Sequence, residues 1–348
     1  MASSGHVGIK DVARLARVSQ GTVSNVLNHP DRVSKARRQA VEEAIRTLGF
    51  VRHEAARHLR AGYSSTVGLL LLDAWNPGFT DIARGVEDTT AARGLTVLIS
   101  NSARDTEREK TYLRLFSEQR VAGLIVVPHD QFAEGLHQIR AGGVPVVVVD
   151  RAETTDRGLS VAVDDVTGGE LAGRHLIGLG HRHLAFVGDE AAAVPVHDRL
   201  TGVRKAVADA GSDVRLDVLP ADLTVEGGRE MGEQLAGMPP AQRPTAVTAA
   251  IDLLAFGVLQ ALLRHRIRVP EDISLMGYDD IPFARQLSVP LTTVRRPHYE
   301  MGTTAAEMLT TALSGSAPRT RHVVFQPELE VRDSTARLTS RPSGRRNP

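Results

Sequence analysis

The chain has 348 residues, enough for two or three domains with packed cores at about 100 to 200 residues per domain. Its composition, 42% hydrophobic and 24% charged, is globular, and no apolar run reaches the ~18 residues that span a bilayer. The first residues lack the apolar stretch of a secretory signal peptide, so we expect a cytoplasmic protein. The absence of cysteine excludes disulfides, thiolate nucleophiles and Cys-ligated zinc.

Charge is distributed unevenly along the chain. Overall, 42 Lys and Arg nearly balance 41 Asp and Glu, yet residues 1–63 carry eleven basic and five acidic side chains. The tail from Arg332 carries five arginines and one aspartate, so the segment 64–331 is net acidic. This pattern is expected when only the N-terminal part approaches a polyanion.

Three short amphipathic helices are predicted within residues 8–50. Their apolar faces comprise Ile9, Val12, Ala13 and Ala16, then Val23, Val26 and Leu27, then Val41, Ala44, Ile45 and Leu48. Ser19 and Ser34 are predicted to cap the second and third helices, and Gly49 to end the third. Together the helices predict one small core.

The first two helices, joined by a three-residue turn, form a helix-turn-helix pattern. In this motif the start of the second helix enters the major groove of DNA. Glutamine and asparagine pair with N6 and N7 of adenine, whereas hydroxyls hold phosphates. A generic three-helix bundle is the alternative, but it would not require a polar helix start beside an excess of arginines. The predicted DNA contacts are Gln20, Gly21, Thr22, Ser24, Asn25, Asn28, Arg32 and Ser34.

From Thr66 onward, short apolar runs alternate with helical segments. The runs occupy residues 67–72, 95–99, 123–127, 144–149, 184–187, 246–248 and 273–276. Continuous Val, Ile and Leu runs indicate strands buried on both faces, and helices such as 82–93 and 253–266 indicate right-handed parallel crossovers. The chain has about twice as many strand–helix units as one doubly wound lobe needs. The pattern therefore predicts two similar α/β lobes with a cleft between them.

The sequence resembles the LacI/GalR family of bacterial transcription regulators over nearly its whole length. The motifs that carry the resemblance are Asp11-Val-Ala, Val18-Ser-x-x-Thr-Val-Ser24, Val26-Leu-Asn28, Asn76-Pro-Gly-Phe79, His175-Leu-Ile-x-x-Gly-His181, Val269-Pro-Glu-Asp-Ile-Ser274, Gly277-Tyr-Asp-Asp280 and Pro290-Leu-Thr-Thr-Val294. The resemblance implies an all-α helix-turn-helix headpiece before an α/β effector domain of the periplasmic-binding-protein kind.

The expected domain boundaries follow from this resemblance. They are 8–63 for the headpiece, 64–331 for the effector-binding and dimerisation domain, and 332–348 for a basic flexible tail. Within the effector domain we expect an N-lobe at about 64–162 plus 293–322, and a C-lobe at about 163–290 plus 323–331.

The resemblance makes residues 53–60 a hinge helix that folds when two subunits lie side by side in the minor groove. Leu59 would be the apolar wedge that kinks DNA, and Ala56 would permit close approach. A solvated linker helix is the alternative. Arg52 and His53 replace the family's usual Pro-Asn, which removes a fixed φ and a helix cap.

Two headpiece positions also depart from the family pattern. Arg17 stands where family members usually have Gly, and a left-handed residue there costs roughly 1–2 kcal/mol without glycine. We therefore expect a differently shaped turn. Gly21 offers no side chain at a main specificity position, so the operator cannot be inferred by analogy.

The family binds a small effector between its lobes. The resemblance places Trp75, Phe79, Arg151, Arg199, Leu223, Ile251 and Asp279 in that cleft. Arginine forks and a carboxylate can grip vicinal hydroxyls, and an aromatic face can cover a sugar ring. Simpler roles stay open, since Trp75 could be ordinary packing and Arg199 an interlobe ion pair. Ile251 stands where the family typically has Asn, so a polar contact is missing.

The resulting hypothesis is a homodimeric repressor of carbohydrate uptake or catabolism genes, acting in the bacterial nucleoid. Its partners would be a palindromic operator in double-stranded DNA and a sugar-like effector, with no membrane, cofactor, metal or catalytic residue involved. The C-terminus has no heptad stripe, which favours a dimer over a tetramer.

Two other classes of protein fit the sequence less well. A periplasmic sugar-binding protein would need a signal peptide and would have no use for residues 8–60. An enzyme would need a complete phosphate cradle or a nucleophile elbow, and the sequence has neither. The glycines of 168–173 are better explained by close helix packing, and His181-Arg-His183 by a surface loop rather than a metal site.

Overall fold

The computed structural model describes residues 7–50, 64–129, 134–152 and 158–338. The predicted hinge helix 53–60, with Ala56 and Leu59, and the tail beyond residue 338 lie outside the described residues. The chain divides after Tyr63 into two compact units. Within the described ranges, no helix is both long and apolar enough to cross a membrane.

The first unit is the predicted three-helix core. Its helices are α1 (Ile9–Leu15), α2 (Gln20–Asn28) and α3 (Lys35–Leu48), with a 3-10 turn at Pro30–Arg32. Val12, Val23 and Val41, one from each helix, are fully buried against one another. The predicted apolar faces therefore meet in a single cluster.

Helix boundaries in this unit follow from their caps, with one exception. The Ser19 hydroxyl accepts a bond from the Thr22 N–H at 3.1 Å, and Gly49 ends α3 with a left-handed φ of 60°. Ser34 precedes α3 as predicted, but its side chain accepts no capping bond, so that prediction is wrong.

The turn between α1 and α2 keeps a left-handed residue although it has no glycine. Arg17 adopts this conformation at φ 54°. The next residue, Val18, closes the turn by donating to the Ala13 carbonyl at 3.0 Å and packs partly against the core. These contacts offset the roughly 1–2 kcal/mol that the left-handed residue costs.

The second unit has two six-stranded sheets. Sheet 1 has the strand order β11-β5-β4-β3-β1-β2 and is parallel throughout. Its strands are β1 (Thr66–Leu71), β2 (Thr96–Asn101), β3 (Gly123–Val126), β4 (Val146–Val149), β5 (Leu159–Val163) and β11 (His322–Phe325). The helices α4 (Pro77–Ala91), α5 (Thr106–Glu118), α6 (Glu134–Ala141) and α11 (His298–Leu313) belong to this N-lobe.

Sheet 2 has the order β12-β10-β9-β8-β6-β7, parallel except for the antiparallel pair β10 and β12. Its strands are β6 (His183–Val187), β7 (Arg215–Leu219), β8 (Ala246–Ala249), β9 (Ser274–Asp279), β10 (Thr292–Arg295) and β12 (Glu328–Glu330). The C-lobe helices are α7 (Asp165–Gly178), α8 (Val194–Ala210), α9 (Val225–Gly237) and α10 (Asp252–Arg264), with a 3-10 turn at Ala284–Gln286.

The central strands are buried on both faces, as their continuous apolar runs predict. Leu69 and Leu70 are consecutive and fully buried, yet they belong to separate apolar clusters on opposite faces of sheet 1. Leu69 packs with α4 and α11, and Leu70 with α5 and α6. The two-lobed α/β architecture is therefore confirmed.

The predicted lobe boundaries need two corrections. β10 (Thr292–Arg295) pairs with β9 in sheet 2, so the chain returns to the N-lobe after residue 295 rather than at 293. β11 (His322–Phe325) pairs with β5 in sheet 1, so the last crossing follows residue 325 rather than 322. Both strands are short, and their composition does not reveal which sheet they join.

The segment 332–338 is not the flexible tail predicted from its polar sequence. Ser334 is fully buried and donates to the Leu275 carbonyl at 2.6 Å. Leu338 donates from its N–H to the Leu179 carbonyl at 2.8 Å. The same segment covers His181, which bonds the Ala336 carbonyl at 3.1 Å and is 2% exposed, so its prediction as a surface loop is also wrong.

Candidate functional site

The exposed face of α2 carries the predicted base contacts. Val23 and Val26 anchor the helix on the core, which turns Gln20, Gly21 and Asn25 toward solvent. Ser19 fixes where the helix starts, because its hydroxyl bonds both the N–H and the hydroxyl of Thr22. The polar side chains are thus held on one rigid face.

The predicted phosphate contacts are partly engaged within the headpiece. Asn28 donates from Nδ2 to the Ser24 carbonyl at 2.8 Å and lies 3.3 Å from the Ser24 hydroxyl. Arg32 and Ser34 are exposed at the 3-10 turn and at the start of α3. Side chains able to bind phosphate therefore flank α2.

In the second unit, a cavity lies between the two lobes, where the carboxyl ends of strands from both sheets meet. This is where open parallel sheets bind ligands. Five of the seven predicted cleft residues line it: Phe79, Arg199, Leu223, Ile251 and Asp279. The other lining residues are Leu72, Asn76, Arg104, Asp150, Ala193, Pro195, Val196 and Arg296.

The other two predicted cleft residues do not line this cavity. Trp75 is 87% exposed and does not line the cavity, so its predicted role over a sugar ring is wrong for this structure. Its N–H bonds the Asp73 carboxylate at 3.0 Å in a turn before α4, and Phe79, one turn into that helix, provides the aromatic wall instead. Arg151 lines two adjoining cavities with His129 and with Ala193 and Val194 of the C-lobe, so it lies in the cleft between the lobes as predicted.

Arg199 is buried in a dense set of contacts. Its Nε donates to Asp165 Oδ1 at 2.9 Å, its Nη1 donates to the Ala250 carbonyl at 2.7 Å, and its guanidinium lies 3.9 Å from the centre of the Tyr278 ring. Burial alone would lower the pKa of Arg199, but the carboxylates of Asp165 and Asp279 outweigh it and raise the pKa. Arg199 is therefore a permanent, fixed cation at the cavity wall.

Close packing of two helices brings Arg199 to Asp165. Gly169 on α7 lies against the Arg199 backbone on α8, and a Cβ added there would be 1.9 Å from the Arg199 carbonyl oxygen. The close-packing interpretation of the 168–173 glycines is confirmed. These glycines thus serve the site through helix geometry rather than by binding phosphate.

Asp279 ends β9 and faces both lobes. Its Oδ2 accepts from Asn76 Nδ2 at 3.1 Å, and its Oδ1 lies 3.5 Å from Arg296 Nη1, 3.8 Å from His298 Nε2 and 3.9 Å from Arg199 Nη2. Burial raises the pKa of Asp279 to about 6, although Arg199 and Asn76 oppose the rise. Burial, then Arg296 and Arg199, lower the pKa of His298 well below 6.5, so His298 is neutral near pH 7.

Asp252 positions the loop that follows Asp279. It is fully buried at the start of α10, where Oδ1 accepts from the Thr293 hydroxyl at 2.7 Å and Oδ2 from the Ile281 N–H at 2.9 Å. Burial raises the pKa of Asp252 well above its usual value. The carboxyl group thus ties three C-lobe segments together beside the cavity.

Sequence reasoning missed several cleft residues. Asn76 and Asp150 follow the ends of β1 and β4, so the rule that ligands bind beyond the carboxyl ends of strands could have found them. Arg296 directly follows β10, so the same rule covers it, but only once that four-residue strand is recognised. It lies on the crossover from β10 to α11, where the chain changes lobes.

A helix-turn-helix module joined to a two-lobed body with a charged interlobe cavity defines an effector-controlled DNA-binding regulator. The family model for bacterial regulatory proteins of the lacI family matches residues 8–53, and that for a periplasmic binding protein-like domain matches residues 174–335. The HTH-type transcriptional repressor PurR of Aliivibrio fischeri strain MJ11 is 33% identical over 328 residues, which cover 94% of this chain and 97% of that protein. The chain belongs to the LacI family.

Solved structures agree with this assignment. The lac repressor dimer bound to operator and the anti-inducer ONPF has a TM-score of 0.78 at 26% identity, covering 95% of this chain and 99% of that one. A LacI family regulator from Enterococcus faecium with bound ribose has a TM-score of 0.71 at 30% identity, covering 79% and 100%. This chain is thus a DNA-binding repressor with an effector-binding domain, and not an enzyme.

Proposed function

We propose that this repressor acts as a homodimer on a palindromic operator and is controlled by a sugar-like effector held between its lobes. Its target genes would serve carbohydrate uptake or catabolism. The observation that carries the sugar assignment is the pairing of a buried carboxylate, Asp279, with a buried guanidinium, Arg199, in one interlobe cavity.

The lining of the cavity is of mixed polarity. Phe79, Leu223 and Ile251 supply apolar groups, whereas Asn76, Arg199 and other residues supply polar ones. Sugars match this division, because their hydroxyls bind carboxylates and guanidinium groups while their C–H faces pack on apolar side chains. The bound ribose of the Enterococcus faecium regulator supports the same assignment.

A planar heterocycle such as a purine base fits less well. Among the lining residues Phe79 is the sole aromatic side chain, so no second ring is present to stack the other face of a planar ligand. Ile251 leaves one side of the pocket without a hydrogen-bonding partner, which favours an effector with a less hydroxylated face.

The effector would act by changing how the lobes close. Asn76 of the N-lobe already bonds Asp279 of the C-lobe, so a ligand that replaces or reinforces this bond has different affinities for the open and closed forms. That difference is what shifts the equilibrium and alters operator binding. Both release from DNA and recruitment to DNA are consistent with this mechanism.

On DNA, we propose that Gln20 and Asn25 read adenines in the major groove of each half-site. The hydroxyls and amide of Thr22, Ser24 and Asn28, with Arg32 and Ser34, would hold phosphates. The roles predicted for Ala56 and Leu59 in the minor groove belong to the same proposal and concern residues outside the described ranges.

Two measurements on the full chain test the proposed function. Selection from random duplexes should enrich a short palindrome with adenines in each half-site; failure to enrich any palindrome contradicts the DNA part. A thermal-shift panel of D-ribose, D-glucose, D-gluconate, D-ribose 5-phosphate and hypoxanthine should give its largest shift with a neutral sugar. A ligand that binds the folded state and is present at 100 times its Kd stabilises the protein by about 2.7 kcal/mol. A shift with hypoxanthine alone would overturn the sugar assignment.

A further inference from the structure

Two buried polar atoms in the cleft have no hydrogen-bond partner among the described residues. They are Asp279 Oδ1, an acceptor, and Arg296 Nε, a donor. Asp279 is 2% exposed and Arg296 is 4% exposed, and both line the interlobe cavity. Since nearly all buried polar groups are hydrogen-bonded, this pair indicates the chemistry of the group that binds there.

Arg296 occupies an unusual place in the fold. It follows β10 on the crossover that leads to α11, so it is carried by neither sheet. Its guanidinium forms an ion pair with Asp150, which follows β4 in the N-lobe, and lies 3.5 Å from Oδ1 of Asp279, the last residue of β9 in the C-lobe. A single cation therefore lies between one carboxylate from each lobe.

We propose that Arg296 is a specificity-determining residue that selects an uncharged hydroxyl group of the effector. The hydroxyl donates to Asp279 Oδ1 and accepts from Arg296 Nε. Because Arg296 also holds Asp150, this one contact links the effector to both lobes. The inference rests on the proposed function, since it assumes that the effector binds in this cavity.

The two atoms together decide against an anionic group at this position. A carboxylate or a fully ionised phosphate oxygen only accepts hydrogen bonds, so it would leave Asp279 Oδ1 unsatisfied. It would also put a third negative charge beside Asp150 and Asp279. A hydroxyl both donates and accepts, and it adds no charge. The group of the effector at this position is therefore a neutral hydroxyl rather than a carboxylate or a phosphate.

Arginine is required at residue 296 by the same geometry. Its planar fork can pair with Asp150 through one terminal nitrogen while Nε points to another partner. Lysine would keep the charge but supply a single nitrogen, whereas glutamine would keep a donor but leave the Asp150 carboxylate without its cation. The two substitutions therefore separate the donor geometry from the charge.

The test compares four forms of the full chain by titration calorimetry: wild type, Arg296→Lys, Arg296→Gln and the matched control Arg295→Gln. Arg295 is the preceding residue, but it is exposed and pairs with Glu328 and Glu330 on the surface. The probes are D-ribose with 2-deoxy-D-ribose, D-glucose with its 2-, 3- and 6-deoxy derivatives, D-gluconate, D-ribose 5-phosphate and hypoxanthine.

We expect a neutral sugar to bind the wild type most tightly. Both Arg296 variants should weaken that sugar about 10- to 100-fold, the loss expected for a charge-assisted hydrogen bond, while Arg295→Gln changes its Kd less than about twofold. One deoxy derivative should bind the wild type more weakly than its parent sugar by a similar factor. Its affinity should fall no further in Arg296→Lys. If Arg296→Gln does not fold, Arg296→Lys and the deoxy series decide the question.

Each contrary result has its own meaning. The role of Arg296 is overturned if the Arg296 variants bind the sugar with unchanged affinity. It is also overturned if removing each hydroxyl weakens binding equally in the wild type and in Arg296→Lys. Either result leaves the proposal of a sugar-responsive regulator intact. D-gluconate or D-ribose 5-phosphate as the tightest ligand overturns the assignment of a neutral sugar as the effector. Binding of no sugar at all contradicts the proposed function itself.

Discussion

Asn76 and Asp279, 203 residues apart in sequence, form a hydrogen bond of 3.1 Å that joins the two lobes across the cleft. Asn76 also caps α4, because its Oδ1 accepts from the Gly78 N–H at 2.9 Å. One side chain thus caps a helix and contacts the other lobe. Lobe closure in this regulator is therefore connected to the start of α4.

The two roles of Asn76 can be separated by substitution. Asn76→Ser keeps a capping oxygen but loses the amide donor, so we expect a stability loss of about 1 kcal/mol. Asn76→Ala loses both contacts and should cost about 1 kcal/mol more. Urea denaturation of the full chain measures both. Equal losses in the two variants would mean that only the contact across the cleft contributes.

The raised pKa of Asp279 predicts a pH dependence of stability. Its folded-state pKa is about 6, above the ordinary 3.8, so the folded protein binds the proton more tightly. The contribution of Asp279 is present in full below pH 3.8 and is lost as the pH rises to 6, by on the order of 3 kcal/mol.

Asp279→Asn should therefore flatten the fall in unfolding free energy between pH 4 and 6 and raise stability at pH 7. The same change at Glu87, exposed on α4, serves as the control: Glu87→Gln should leave the profile unaltered. Urea titrations at a series of pH values provide the comparison. A profile for Asp279→Asn that parallels the wild type would show that another group titrates in this window.

The fold was more predictable than the site, and individual residues show why. Leu69 and Leu70 lie in a continuous apolar run, which only a strand covered on both faces explains. By contrast, β7 is half-exposed and β12 has three residues, so neither produces a clear pattern. Short edge strands are defined by their partners rather than by their own composition.

Site residues were predictable where a motif placed them and not otherwise. The resemblance to the family predicted Arg199 and Asp279 in the cleft, and the structure brings them to one cavity. Trp75 lies only four residues before Phe79, yet its side chain points to solvent. Neither side-chain direction nor the meeting of Asp150 with Arg296, 146 residues apart, is encoded locally in sequence.

The left-handed Arg17 predicts a stabilising substitution. Arg17→Gly should remove the strain of φ 54°, roughly 1–2 kcal/mol, and the greater freedom of glycine when unfolded should cancel part of it. We expect a net gain of about 0.5–1 kcal/mol in headpiece stability. Amide hydrogen exchange at Val12 and Val23 in the full chain reports it.

Arg14→Gly is the matched control for this prediction. Arg14 is an exposed arginine in the last turn of α1, where glycine costs up to about 1 kcal/mol. The two variants remove the same charge, so opposite changes in exchange protection isolate the backbone effect. Faster exchange in both variants would contradict the strain argument.

Asn25 should contribute to sequence discrimination rather than to general DNA affinity. Asn25→Ala should weaken binding to the selected palindrome by about 1–3 kcal/mol. Its affinity for a scrambled duplex should change by no more than a few-fold, because a base contact is absent from non-specific complexes. Gln39→Ala, an exposed polar residue on α3, is the control. Fluorescence anisotropy at two salt concentrations measures both duplexes. Equal weakening of the two duplexes would place Asn25 on the phosphates instead.

Gly169 offers the sharpest test of how the fold builds the cleft. In Gly169→Ala the new methyl group would lie 1.9 Å from the Arg199 carbonyl oxygen, so α7 and α8 must separate at a cost of about 1–3 kcal/mol or more. The separation should lengthen the Asp165–Arg199 bond and weaken effector binding with it. Gly178→Ala is the control on the same helix, since nothing lies within 4 Å of its added Cβ, and it should stabilise by up to about 1 kcal/mol. Thermal melts and effector titrations compare the two variants. If both were destabilised to a similar extent, the contact of Gly169 with the Arg199 backbone would not determine the distance between α7 and α8.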